Sequence, residues 1–105
     1  MATGREVYLD RIRDIVVDAL AGYPVTVYLF GSCARGDWRH GSDVDVAVEA
    51  HGPLPRHVLR DLRETLEEST IPYNVDVIDL NSADQRIRRA VNEEGIVWVA
   101  EGMLA

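Results

Sequence analysis

Apolar residues along the first twenty positions recur with a helical period. Tyr8, Leu9, Ile12, Ile15, Val16, Ala19 and Leu20 line one side, and Asp10, Arg11, Asp14 and Asp18 fall mostly on the other. Just ahead, Thr3 and Glu6 have capping-box spacing, which would give acceptors to the backbone N–H groups orphaned at a helix start. Gly22 and Pro24 then stop the helix. Val25 to Phe30 is an unbroken run of β-formers between Pro and Gly, too short for a helix and apolar enough for a buried strand. Residues 31–42 carry three Gly and two Ser with no sustained period, and predict a loop with at most one helical turn. From Asp43 to Glu49 the alternation is strict: Val44, Val46 and Val48 point one way, Asp43, Asp45, Ala47 and Glu49 the other. That predicts a strand with one acidic face.

After a turn at His51 to Pro55, Val58, Leu59, Leu62, Thr65 and Leu66 mark a second amphipathic helix that ends before Pro72. Tyr73 to Leu80 predicts a third strand. Ser82 and Gln85 again have capping-box spacing and open a third helix through Ile87, Ala90 and Val91 to Gly95, with Ile96 to Ala100 left for a short edge strand. Helices alternating with strands imply an α+β sheet of three to four strands with helices packed mainly on one side. The pattern does not specify strand order. With 105 residues, no repeat and no linker, a single domain spanning 1–105 is expected.

Composition narrows the classes of function. Hydrophobic residues make up 47% of the chain, enough to fill a core without disulfides or a structural metal. Eighteen Asp and Glu against eleven Arg, with no Lys, leave a net charge of −7, which repels phosphate backbones and argues against direct nucleic-acid binding. Cys33 is alone and cannot form an internal disulfide. No apolar run is long enough to span a bilayer, and the opening residues lack the apolar stretch of a secretory signal, so the expectation is a cytoplasmic protein.

Asp43 and Asp45 carry the chemistry. Period two sets them on one strand face with Cα atoms about 6.6 Å apart, and two such carboxylates repel unless one is protonated or a cation lies between them. Asp76 interrupts the third strand in the same way. If the two strands are neighbours, three hard oxygen donors meet, a set that suits Mg²⁺ or Mn²⁺. Asp79 falls on the opposite face beside a turn and is assigned to that turn. Upstream, Gly31 and Ser32 follow the first strand, where a glycine lets the backbone approach a phosphate and a hydroxyl can bind its oxygens. A phosphate loop leaving one strand and a carboxylate pair on the next are what nucleotidyl transfer requires, with two ions about 3.5–4 Å apart flanking an in-line displacement.

Gly31-Ser32, ten residues, then Asp43-x-Asp45 resembles the signature of the DNA polymerase beta-like nucleotidyltransferase superfamily. The stretches Gly31 to Gly36 and Gly41 to Asp45 are particularly similar to its minimal nucleotidyltransferase (MNT) branch, and Val75 to Leu80 matches the strand of its third carboxylate. The resemblance implies a small mixed sheet, with Gly31 and Ser32 on the nucleotide phosphates, Asp43, Asp45 and Asp76 on two Mg²⁺ ions, and ATP as substrate. It further implies an antitoxin that transfers AMP to a tyrosine of a HEPN ribonuclease toxin. Two alternatives stay open: an antitoxin that only occludes the toxin, using Trp38, Trp98 and Met103-Leu104 as a docking surface, and a homodimeric enzyme acting on a small molecule. Homo- or hetero-oligomers fit these readings.

The remaining polar and sulfur side chains are assigned ordinary roles. Cys33 is expected to be an inert buried filler, Trp98 to be core, and His40, His51 and His57 to be surface or loop residues. Arg35 and Arg39, within the loop, are candidates to neutralise triphosphate charge. Asp84 with Arg88 and Arg89 with Glu93 have the spacing of helical ion pairs, which makes Arg86, Arg88 and Arg89 a solvated face.

Overall fold

A computed structural model describes residues 4–31 and 43–100. Its elements run α1 (Gly4–Leu20), β1 (Val25–Phe30), β2 (Val44–Ala50), α2 (Arg56–Glu68), β3 (Val75–Asp79), a 3₁₀ turn (Leu80–Ser82), α3 (Gln85–Glu94) and β4 (Ile96–Val99). The strands form one sheet in the order β3-β2-β1-β4. β1 pairs antiparallel with β2 and β4, whereas β2 and β3 are parallel, so the sheet is mixed. A parallel pair cannot be closed by a tight turn, and α2 supplies the crossover.

One face of the sheet holds the main core. Val25, Val27 and Leu29 of β1 and Val44, Val46 and Val48 of β2 meet Ile12, Val16 and Leu20 from α1 and Val58, Leu59, Leu62 and Leu66 from α2. α3 lies across the other face, where Val91 and Leu80 close over Phe30 and Ala47. Two of the three helices among the described residues therefore share a side, as the pattern implied. The third differs because its crossover, from β3 back to β4, steps along the sheet in the opposite direction to α2. Two crossovers of the same hand that step in opposite directions must use opposite faces.

Local chemistry adjusts several expected boundaries. β1 runs over the expected residues, while β3 is shorter than Tyr73 to Leu80. Tyr73 leaves the strand to pack edge-on against Tyr8, with ring centroids 5.7 Å apart. Leu80 begins the 3₁₀ turn, whose Asn81 N–H donates to Asp79 Oδ1 at 3.0 Å, so Asp79 has the turn role expected of it. The capping box at Ser82 and Gln85 is not formed. Asp84 caps α3 instead, its Oδ1 accepting from Ile87 N at 3.0 Å, while the Ser82 hydroxyl donates to the Asp79 carbonyl. Asp is as good a cap as Ser, and here Ser82 is already committed to the turn. With Asp84 so engaged, Arg88 turns back to the Asn81 and Ala83 carbonyls rather than forming the expected ion pair. Thr3, the first residue of the other capping box, lies outside the described residues. Among those described, no helix is long and apolar enough to cross a membrane.

Candidate active site

The C-terminal end of β1 and the N-terminal ends of β2 and β3 come together at one corner of the sheet. Phe30 pairs with Asp45 across the antiparallel ladder, and Asp45 pairs with Asp76 across the parallel one. Residues in register on adjacent strands present side chains to the same face, with strands about 4.8 Å apart. The neighbour relation on which the third carboxylate depended is met. Asp45 and Asp76 share the face that carries Ala47 and Ile78, at the end that α3's apolar cluster leaves uncovered.

Gly31 joins the two motifs. Its φ is +75°, a conformation costly for any residue with a Cβ, and it lies directly over the Asp45 carboxylate. A Cβ built on Gly31 would collide with Asp45 Oδ2 and come within 3.3 Å of Asp45 Cγ. The glycine is therefore needed for a reason that its sequence neighbours do not reveal: the backbone bend and the carboxylate occupy adjoining space. Asp43 lies exposed just before β2, where the following residue anchors the strand by donating Val44 N to Asn74 O at 2.9 Å.

Divalent cations such as Mg²⁺ ask for hard oxygen donors, and Asp43, Asp45 and Asp76 are donors of that kind. Among the described residues no group of three or more His, Cys, Asp or Glu side chains is gathered as a metal cluster. The fit to a metal thus rests on donor chemistry and strand register rather than on converged oxygens. Asp43 and Asp76 also border a cleft of about 510 Å³ that runs along the β3 edge past Arg63, Glu67, Tyr73 and Asn74.

Of the candidate residues, Gly31, Asp45 and Asp76 are brought together and Asp43 stands at the mouth of the same corner. Ser32, Cys33, Arg35, Trp38, Arg39, His40 and Met103-Leu104 lie outside the described residues. Trp98 is half-buried against the main core, and His51 and His57 are exposed. Two features escaped the sequence. Arg63 reads as a solvated helix residue, yet its guanidinium donates twice to the Val77 carbonyl, at 3.1 and 2.8 Å. Tyr28 donates its hydroxyl to Glu49 Oε1 at 3.1 Å, further along the face that holds Asp45. Burial, then the hydrogen bond and charge of Glu49, push the Tyr28 phenol above its usual 10.0. Alternation in β2 placed Glu49 on the acidic face, but nothing local paired it with a tyrosine on β1.

Residues 16–101 match the model of a family described as polymerase beta, nucleotidyltransferase. A Shewanella oneidensis protein named protein adenylyltransferase MntA is 35% identical over 69 residues, covering 66% of this chain and 49% of that protein. The Haemophilus influenzae protein named probable protein adenylyltransferase MntA is 31% identical over 72 residues, covering 69% of this chain and 63% of that one. The chain thus spans about half to five-eighths of the length of these relatives. A solved complex described as a tri-AMPylated Shewanella oneidensis HEPN toxin with its MNT antitoxin matches with a TM-score of 0.65 and 26% identity, over 90% of this chain and 71% of the matched one.

Proposed function

Because the chain belongs to the polymerase beta nucleotidyltransferase family, we propose that it is an antitoxin that transfers AMP from ATP to a tyrosine hydroxyl of a HEPN ribonuclease toxin. The observation that carries the reading is the closure of the Gly31 bend onto Asp45, with Asp76 in register beside it. The relatives named as protein adenylyltransferases, and the complex in which a HEPN toxin bears AMP, support the donor and the acceptor.

In this mechanism the Gly31 bend, with Ser32 after it, receives the triphosphate, since only a residue without a side chain allows such an approach. Asp43 and Asp45 would hold two Mg²⁺ ions and Asp76 would complete the set. When bound, the metals neutralise the developing charge on the phosphoryl oxygens. The acceptor's phenolic oxygen forms a bond to the α-phosphorus while the bond from that phosphorus to the β-bridging oxygen breaks. Pyrophosphate leaves with the electron pair, and the phenolic proton passes to Asp76, the carboxylate of the outer strand. β2 holds Asp45 rigidly because the Val residues on either side of it are locked in the core.

Purified protein incubated with labelled ATP, Mg²⁺ and the toxin is expected to yield a covalent AMP adduct. The double variant Asp43→Asn/Asp45→Asn should lose about a thousandfold in transfer, since a metal's charge contributes several kcal/mol at such a transition state. Unchanged adduct formation would remove these carboxylates from the mechanism. Full rescue of toxin-expressing cells by the same double variant would favour neutralisation by occlusion.

A further inference from the structure

Packing alone holds β3 lightly. It lies at the edge of the sheet, so only β2 ladders against it, and of its five residues Val77 alone is buried. β2, between two neighbours, buries four of its seven. Yet β3 carries Asp76, whose place beside Asp45 depends on the register of that single ladder. Both ends of β3 are fastened to β2. At the start, the Val44 N–H donates to the Asn74 carbonyl at 2.9 Å. Just past the end, the Asn81 amide clasps the backbone of Ala50, accepting from its N–H at 2.8 Å and donating to its carbonyl at 3.0 Å. Between these fastenings an edge strand can open locally on its outer side unless another group holds it there.

We propose that Arg63 is a positioning residue for the transfer reaction: its guanidinium clamps the middle of β3 to α2 and so keeps Asp76 in register beside Asp45. The inference rests on the adenylyl-transfer reading above and adds to it a residue that acts through Asp76. Arg63 Nε and one Nη donate to the Val77 carbonyl at 3.1 and 2.8 Å, at the residue that follows Asp76. Both bonds come from a cation and are partly buried, which places them in the stronger class of hydrogen bond. The clamp has a fixed base, since Leu59, Leu62 and Leu66 lock α2 into the core. Its two prongs need the planar fork of a guanidinium, which an ammonium group does not supply. Arg63 also borders the cleft beside Asp76. A direct effect of its charge on the carboxylates is therefore the rival account, and a lysine in its place separates the two.

Arg63→Gln removes both clamp and charge, and Arg63→Lys keeps the charge without the fork. Arg60→Gln, an exposed change one turn earlier on α2, is the control. The first readout is amide hydrogen exchange in ¹⁵N-labelled protein with no substrate present. Both Arg63 variants should speed exchange across Val75–Asp79 about tenfold and leave β1 unchanged, and Arg60→Gln should alter neither strand. The second readout is the Mg²⁺ dependence of AMP transfer to the toxin. The Mg²⁺ concentration that gives half the maximal rate should rise about tenfold in both Arg63 variants, with the KM for the toxin unmoved. Leu62→Ala, which loosens the core at large, should lower the melting temperature without shifting that concentration, so plain loss of stability does not mimic the clamp. Wild-type behaviour by Arg63→Lys assigns the effect to charge and overturns the proposal. So does unchanged exchange in β3 with a raised KM for ATP at saturating Mg²⁺, which would put the guanidinium on the substrate. Faster β3 exchange in the variants of a protein that transfers no AMP sinks the reaction and leaves the clamp. Faster exchange with an unaltered Mg²⁺ dependence keeps the reaction and ends the positioning role.

Discussion

The two faces of the sheet come from the same strands by simple alternation, yet they are finished in opposite ways. On β2, Val44, Val46 and Val48 are all buried beneath α1 and α2. On the reverse of the same strand only Ala47 is buried, under α3, while Asp45 before it and Glu49 after it remain half-open. One face is filled by burying apolar side chains, and the other is partly covered so that carboxylates stay reachable at its corner. Since Asp45 lies between Val44 and Val46, both in the core, the apolar face fixes the position of the polar one. A rigid strand holds charges that would otherwise move apart.

If that division of labour is right, damage to the apolar face should lower stability and leave chemistry intact. Leu62 of α2 is fully buried. Leu62→Ala is expected to cost about 2–5 kcal/mol by the lost transfer energy and the cavity left behind. Thermal unfolding would read that loss, while AMP transfer per folded molecule at low temperature stays near the wild-type value. A proportionate fall in transfer by the folded fraction would mean that core and site are not separable.

Gly31 is the point at which the two faces should fail to separate. Its bend is a feature of backbone geometry, but it closes on the Asp45 carboxylate. Gly31→Ala should cost about 1–2 kcal/mol for the left-handed conformation alone. Because the new Cβ meets Asp45, transfer should fall far more than Leu62→Ala lowers it, despite the smaller loss of stability. Normal transfer by Gly31→Ala would show that the bend and the carboxylate act independently.

How much of this could be seen beforehand differs between the faces. β1 was legible to the residue because Pro24 and Gly31 punctuate an unbroken apolar run, and the Val face of β2 followed from period two. The carboxylates were legible as anomalies, Asp45 between two Val residues and Asp76 between Val75 and Val77. Their register was not, since it depends on strand order, and strand order depends on which way each crossover steps. The same missing information hid the side chosen by α3. The misplaced cap at Ser82 had a different origin: the spacing rule sees two polar residues three apart, but not the 3₁₀ turn that has already taken the serine. Arg63 was invisible because a charged residue on a helix surface looks alike whether it faces water or a strand edge.

The smallest effect expected lies at the far end of the polar face, where Tyr28 and Glu49 meet. Partial burial and the neighbouring carboxylate disfavour the phenolate, so the folded-state value lies above the usual 10.0 that holds in the unfolded chain. A raised folded value contributes stability that is complete below pH 10 and is lost as pH rises through the folded value. Melting temperature should therefore fall more steeply above pH 10 in the wild type than in Tyr28→Phe, which keeps the ring and cannot ionise there. The other three tyrosines titrate in both proteins and cancel from the difference. Parallel alkaline profiles would mean that Tyr28 is as well solvated in the folded chain as in the unfolded one, and that the polar face is open to water beyond its carboxylate corner.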